Sequence, residues 1–282
     1  MPHARTRWGI RIFYEVHEPD APTSADPLVL VHGVGLSGRF WFDIPRSIAC
    51  DAATRRRVIT IDNRGTGRSD KPWGPYRMRD MADDVAAVLD ACEIRRAVVA
   101  GFSLGGMVAL NFAVRHPERL SGLVLLATTP GFPVGRVPGL GALARLFALP
   151  IAAGRRIRWL DRLLLSDQEL DRAPEIFARW PATLRQDPMY LRTFAAQLAA
   201  AAGHTAGLRL SRIRCPTVVL AGADDILRSS TNAERIARRI PNSYVEVLPG
   251  VAHGIPWSNP RIIHHALEKL ANVPLREPVA DR

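Results

Sequence analysis

Covalent chemistry is best served in this chain by one serine set among glycines, Gly101-Phe102-Ser103-Leu104-Gly105-Gly106. The segment follows the apolar run Ala97-Val98-Val99-Ala100 and opens a stretch of helical spacing from Met107 to His116. A strand that ends at Gly-x-Ser-x-Gly and passes at once into a helix forms a nucleophile elbow. Gly101 and Gly105 lack a Cβ, so strand and helix can approach closely. Ser103 is then expected in a strained backbone conformation with its hydroxyl presented above the sheet. The first helical N–H groups point toward that hydroxyl, and the helix dipole favours negative charge there. An acyl-transfer oxyanion would form at that spot. Taken alone, the same glycines also suit a plain β–α turn with an inert serine, so the rest of the chain has to decide.

Two further sites follow. In Pro216-Thr217-Val218-Val219-Leu220-Ala221-Gly222-Ala223-Asp224-Asp225, a run typical of a buried strand ends at a glycine and is followed by two acids. In Tyr244-Val245-Glu246-Val247-Leu248-Pro249-Gly250-Val251-Ala252-His253-Gly254, a short alternating strand runs into a glycine-bounded loop carrying a histidine. Catalytic groups collect outside the carboxyl ends of strands in open α/β sheets. Each site has a plainer explanation, turn chemistry for the acids and a solvated loop for the histidine. Chance rarely places Ser, Asp and His each at a strand end, in the chain order that a nucleophilic triad of this topology uses.

The elements that must position these groups alternate along the chain. Strand readings fall at Trp8–His17 (strand or hairpin), Leu28–Val31, Arg57–Ile61, Ala97–Ala100, Leu123–Leu126, Thr217–Gly222 and Tyr244–Leu248. A weak helix is read over Trp41–Cys50, and a stronger one over Met78–Cys92 with Met81, Val85, Val88 and Leu89 at helical spacing. Such alternation implies a parallel sheet with right-handed crossovers. The rhythm breaks between Thr129 and Leu210, where helical stretches are interrupted by Pro138, Gly154, Pro174, Pro181, Pro188 and Gly203.

Composition fits a soluble globular protein. The 282 residues are 47% hydrophobic and 23% charged, and no run approaches the ~20 continuous apolar residues of a membrane span. The amino terminus has arginines but no apolar signal-peptide core. Cys50, Cys92 and Cys215 are odd in number and scattered, which suggests reduced thiols and a cytoplasmic location, and their spacing offers no metal site. The net charge of +11 comes without a Lys/Arg block or a basic–aromatic stripe, so nucleic-acid binding is not expected.

The chain resembles the α/β-hydrolase fold superfamily of the serine-nucleophile type, and is similar to cap-bearing bacterial esterases, enol-lactonases and cofactor-free perhydrolases. Four motifs carry the resemblance: His32-Gly33-Val34-Gly35, Asp62-Asn63-Arg64-Gly65-Thr66-Gly67-Arg68-Ser69, the elbow, and Gly250-Val251-Ala252-His253. It implies an α/β fold with a mostly parallel, doubly wound sheet of about eight strands and flanking helices. Residues 1–130 and 211–282 would form the core, and 131–210 an inserted helical cap.

The resemblance also implies roles. The family places its acid three residues after the glycine ending the strand, which gives Asp225, with Asp224 as the neighbouring alternative. Ser103 would be nucleophile, His253 general base and acid, and Asp225 the partner of the imidazole. The backbone N–H groups of Leu104 and Val34 would form the oxyanion hole. His32 is implied to brace its loop, and Asp62–Ser69 to be a structural turn; the latter lacks the ending of a phosphate-binding P-loop. An aspartate nucleophile, needed for dehalogenase or epoxide hydrolase chemistry, is replaced here by serine.

Phe132, Phe147, Trp159, Trp180, Tyr190 and Trp257 are candidates to line an apolar pocket above Ser103, with Phe177, Met189 and Phe194 in the same region. The cap carries eleven arginines against six acids. Its stretch Gly139–Leu165, with Arg145, Arg155, Arg156, Arg158 and Arg162, suits weak contact with an anionic surface or a carboxylate-bearing substrate, although a solvated face is the simpler expectation. The expected activity is hydrolysis of a small to medium, largely apolar ester or lactone, without cofactor or metal, by a monomer or homodimer. Alternatives are carbon–carbon bond hydrolysis of ring-cleavage products, perhydrolysis, or a receptor-like protein that retains the triad.

Overall fold

The computed structural model describes residues 2–152, 158–172 and 178–275; Arg155, Arg156 and Phe177 lie outside them. Eight strands form one sheet: β1 (His3–Arg5), β2 (Arg11–His17), β3 (Leu28–Val31), β4 (Val58–Ile61), β5 (Ala97–Phe102), β6 (Leu120–Leu126), β7 (Thr217–Gly222) and β8 (Ser243–Leu248). Their spatial order is β1-β2-β4-β3-β5-β6-β7-β8. β2 pairs antiparallel with β1 and β4, and every later pairing is parallel. β3, β4, β5 and β7 are buried along their whole lengths, as expected for parallel strands covered on both faces.

Helices cover both faces. On one lie α2 (Met78–Ala91), α3 (Leu104–Arg115) and α9 (Thr231–Ala237); on the other, α1 (Ile44–Cys50) and α10 (Ile262–Ala271). α2 buries Met78, Met81, Val85, Val88 and Leu89, the stripe its spacing predicts. Between β6 and β7 the described residues form helices and no strand: α4 (Leu140–Ala152), α5 (Arg158–Leu164), α6 (Asp167–Arg172), α7 (Trp180–Gln186), α8 (Leu191–Ala202) and a 3-10 helix at Ala206–Arg212. Ties to the rest of the protein include the Ser37 hydroxyl donating to Asp187 at 2.6 Å and the Arg192 guanidinium donating to the Lys71 and Pro72 carbonyls.

Two readings change. The hairpin assigned to Trp8–His17 begins earlier, at His3, because β1 is too short to register as alternation and Trp8 sits in the turn. The Trp41–Cys50 helix is interrupted: a 3-10 turn covers Gly38–Trp41, Phe42 adopts φ 49°, and α1 starts only at Ile44, next to Pro45.

Register brings four loops to one rim. Val31 pairs with Gly101, Phe102 with Leu126, Leu126 with Leu220, and Gly222 with Leu248. The loops carrying Val34, Ser103, Asp225 and His253 therefore leave at the carboxyl edge of the sheet. Close packing there leaves no room for a methyl group on α3: a Cβ on Gly105 would lie 2.0 Å from the Val31 carbonyl oxygen. Gly105→Ala is expected to cost about 4 kcal/mol or more, because the blocking atom belongs to a buried strand. Thermal unfolding should show a Tm lowered by about 8 °C or more; an unchanged Tm would mean that the helix can withdraw from β3 freely.

Candidate active site

Ser103 stands where β5 stops and α3 starts, at φ 54° and ψ −113°. A non-glycine residue held there stores on the order of 1–3 kcal/mol, and its surroundings must hold it in place. The Ser103 N–H donates to the Leu126 carbonyl at 2.9 Å. Its carbonyl accepts the Thr128 hydroxyl at 2.8 Å and the Gly106 N–H at 3.1 Å. The backbone is thus fixed while the hydroxyl is free to turn outward.

His253 reaches that hydroxyl. Nε2 lies 2.9 Å from Ser103 Oγ, and Nδ1 lies 2.7 Å from Asp225 Oδ2. The other carboxylate oxygen, Oδ1, accepts the N–H groups of Leu227 at 2.8 Å and Arg228 at 2.7 Å. Asp225 is therefore oriented by its own loop, and its ionised form suits every partner. An acceptor carboxylate at Nδ1 keeps the proton on that nitrogen and leaves Nε2 as the base facing the serine. All three residues are buried. Asp224, the neighbouring alternative, is exposed and donates its own N–H to the Val251 carbonyl.

Val34 and Leu104 line the cavity above Ser103. Among the described residues nothing takes the Val34 N–H, whereas those on either side are used: Gly33 donates to His32 Nδ1 at 2.7 Å and Gly35 to Gln197 Oε1 at 2.8 Å. Leu104 is the first residue of α3, so its N–H has no partner within the helix. His32 is fully buried among Phe40, Trp41, Phe102 and Trp257. Burial drives its pKa down to about 3, so it is a neutral brace for the glycine loop. Asn63 Nδ2 donates to the His32 carbonyl at 3.1 Å, which ties the Asp62–Ser69 turn to the same loop. Among the described residues, no three His, Cys, Asp or Glu side chains gather to hold a metal, and no helix is long and apolar enough to cross a membrane.

The cavity above Ser103 is small, about 40 Å³, and almost wholly apolar. Trp180 and Trp257 line it, together with Leu146, Leu149, Leu164, Met189 and Leu198. Three of the other pocket candidates are corrected. On α4 the residues facing inward are Ala142, Leu146 and Leu149; Phe147, one step round the helix, is 55% exposed. Phe132 is 70% exposed on the loop after β6, and with Phe147 it borders a separate cavity. Tyr190 is 47% exposed at the start of α8, with the Lys71 ammonium over its ring. Trp159 falls in α5, and its side chain lies outside the described part of the structure.

Two positioning groups escaped the sequence reading. Gln197 on α8 is fully buried; besides accepting from Gly35, it donates from Nε2 to the Arg64 carbonyl at 2.8 Å. An amide on the apolar stripe of Phe194 and Ala200 was the available signal. The second is the start of α6. Ser166 and Glu169 form a reciprocal cap: the Ser166 N–H donates to Glu169 Oε2 at 2.7 Å, and the Glu169 N–H to Ser166 Oγ at 3.2 Å. The same Oε2 accepts the Ala252 N–H at 2.9 Å, and Ser166 Oγ donates to the Gly250 carbonyl at 2.9 Å. The Ser-x-x-Glu spacing announces the cap, but its grip on the His253 loop depends on tertiary contact.

A family model described as alpha/beta hydrolase fold matches residues 26–260. The chain is 30% identical to 3-oxoadipate enol-lactonase 2 of Acinetobacter baylyi over 215 residues, 75% of this chain and 77% of that one. It is also 30% identical to the 2-hydroxy-6-oxononadienedioate/2-hydroxy-6-oxononatrienedioate hydrolase of Burkholderia vietnamiensis over 252 residues, 86% of each chain. Among solved structures it is similar to Est816, described as an N-acyl homoserine lactone degrading enzyme, with 30% identity, a TM-score of 0.74, and coverage of 95% of this chain and 99% of that one.

Truncating the cap side chain tests whether α6 aligns the histidine. Glu169→Ala leaves two N–H groups without their acceptor, one of them next to His253. The rate of Ser103 labelling by a fluorophosphonate is expected to fall about tenfold, for a loss of about 1–3 kcal/mol. Labelling at the native rate in a protein with lowered Tm would show that Glu169 serves α6 alone.

Proposed function

This chain belongs to the alpha/beta hydrolase fold family, and we propose that it is a serine hydrolase that cleaves a carboxylic ester or lactone through an acyl-enzyme. The observation that carries this reading is the unbroken hydrogen-bond chain from Ser103 Oγ through His253 to Asp225.

In this mechanism His253 Nε2 removes the Ser103 proton as Oγ attacks the carbonyl carbon. The oxygen of the tetrahedral adduct takes up the free N–H groups of Val34 and Leu104 at the positive end of α3. Losing one such donor costs on the order of 3 kcal/mol of transition-state stabilisation. The imidazolium then protonates the leaving alkoxide, and Asp225 stabilises its charge throughout. Water, deprotonated by His253, attacks the acyl-enzyme in the second half and releases the acid with Ser103 restored. The described residues between 131 and 210 act as a cap over the serine, supplying most of the apolar wall that keeps bulk water from the adduct.

A second reading, carbon–carbon bond hydrolysis, draws support from the Burkholderia vietnamiensis relative. The apolar character of the wall contributed by α4, α5, α7 and α8 favours ester or lactone cleavage. Carbon–carbon hydrolases of this fold usually add polar groups from the cap, and here that wall is Leu146, Leu149, Leu164, Trp180 and Leu198.

Fluorophosphonate is expected to label the protein rapidly at Ser103, and Ser103→Ala and His253→Ala should abolish labelling. No labelling of a well-folded wild-type protein would overturn the triad. Asp225→Asn should depress hydrolysis of p-nitrophenyl esters roughly 10⁴-fold with little change in Tm. Asp224→Asn should keep near-native turnover; the reverse pattern would move the acid role to Asp224.

A further inference from the structure

The space above Ser103 is about 40 Å³. Small-molecule sites usually enclose ~300–1,000 Å³. A substrate of ordinary size therefore reaches beyond this cavity. The neighbouring cavity encloses about 340 Å³, and the two share Leu146, Leu198, Ala201 and Arg228 as walls. Arg228 therefore stands in the wall that the two cavities share.

Arg228 is unusually placed. Its backbone N–H is committed to Asp225, which roots the residue beside the triad acid. Its side chain is half-buried, and Nε is enclosed without a hydrogen-bond partner. Among the described residues no carboxylate forms an ion pair with it. Burial lowers the pKa of the guanidinium, with Asp225 opposing that effect, yet a guanidinium stays charged at any working pH. Nearby His204 adds no positive charge of its own, since burial takes its pKa to about 4, and it is occupied with the Asn111 side chain and the Thr129 carbonyl.

The charge of the lining is one-sided. Arg136, exposed beside the second cavity and outside any ion pair among the described residues, adds a second cation. Among the described residues, no acid lines either cavity. The rest of the second cavity is largely apolar, with Met107, Leu143, Phe132, Val137 and Phe147 along it, the last three exposed. A half-buried guanidinium whose enclosed Nε lacks a partner, between two largely apolar spaces, is costly for the free protein and is compensated by an anion that brings its own acceptors.

Resting on the acyl-transfer reading above, we propose that the two cavities form one substrate site, and that Arg228 selects an ester or lactone carrying a carboxylate a few bonds from the reacting carbonyl. The apolar remainder of the substrate lies in the second cavity, and Arg136 at its margin raises the local concentration of anions. Arg228 is a specificity-determining residue in this scheme; it takes no part in the bond changes.

The test uses p-nitrophenyl half-esters of linear dicarboxylic acids, succinic to suberic, each beside the neutral monocarboxylic ester of the same carbon number. At the best chain length the wild-type enzyme is expected to favour the half-ester by about tenfold or more in kcat/KM, chiefly through KM, as one charge-assisted hydrogen-bonded pair supplies. Arg228→Gln should erase that ratio, while Arg228→Lys, which keeps the charge without the bidentate fork, should retain part of it. A wild-type preference for the neutral ester at every length overturns the proposal, as does a half-ester preference that survives Arg228→Gln. The wild-type ratio stands even if a variant fails to fold. Absence of turnover on both series together with absence of fluorophosphonate labelling is a different failure: it removes the acyl-transfer reading, and this inference with it.

Discussion

Main-chain atoms from distant parts of the sequence meet at the carboxyl rim of this sheet at distances that exclude a side chain. The Val31 carbonyl at the end of β3 occupies the place where Gly105 would carry a Cβ. The Val251 carbonyl, two residues before His253, occupies the same place over Gly222 at the end of β7. These two approaches set the spacing of the rim. One lets α3 start close enough to β3 for its first N–H to share a cavity with Val34. The other lets the histidine loop cross over β7 so that its imidazole lies between the serine and Asp225. The hydrogen bonds of 2.7 Å and 2.9 Å that link the three side chains follow from that backbone spacing.

Hydrophobic burial drives the fold, yet the site is fixed by buried polar bonds, and the two are layered. Fully buried strands supply a stiff parallel centre, whose register aligns the loop exits. Around the exits, polar side chains hold the loops: His32 Nδ1 takes the Gly33 N–H, Gln197 takes that of Gly35, and Asp225 takes two of its own loop's. Each bond is worth about 1 kcal/mol net when made, and more when a buried group would otherwise go unpaired. With its neighbours committed in this way, the Val34 N–H has no partner among the described residues and is open to a ligand.

The strand ends and their glycines were legible in the sequence because local pattern and tertiary role coincide there. Continuous branched apolar runs such as Leu28–Val31 and Thr217–Gly222 suit buried parallel strands, and the glycine that ends the second lies where the Val251 carbonyl crosses. The count from Gly222 pointed to Asp225, and the imidazole does lie against that carboxylate. The pocket was far less legible. Phe132, Phe147 and Tyr190 are large and apolar, but which face of a short amphipathic helix turns inward depends on how helices between β6 and β7 dock on one another. That docking is set by groups such as Gln197 and Asp187, whose partners lie more than 100 residues away and leave no local trace. β1 was misplaced for another reason: three residues carry too little alternation to reveal a strand.

The carboxylate of Glu169 sits at an architectural seam. One oxygen closes the first turn of α6 and also anchors the loop that presents the imidazole. The segment that shapes the chamber over the serine is thereby mechanically continuous with the base. In this protein the covering helices are not an exchangeable module: grafting that segment from a relative, or excising it to open the chamber, would change the alignment of the proton acceptor along with the contour of the site. Diversification of such an enzyme is then expected to proceed by single replacements on the inner faces of α4, α7 and α8, with the Ser166–Glu169 junction carried through unchanged.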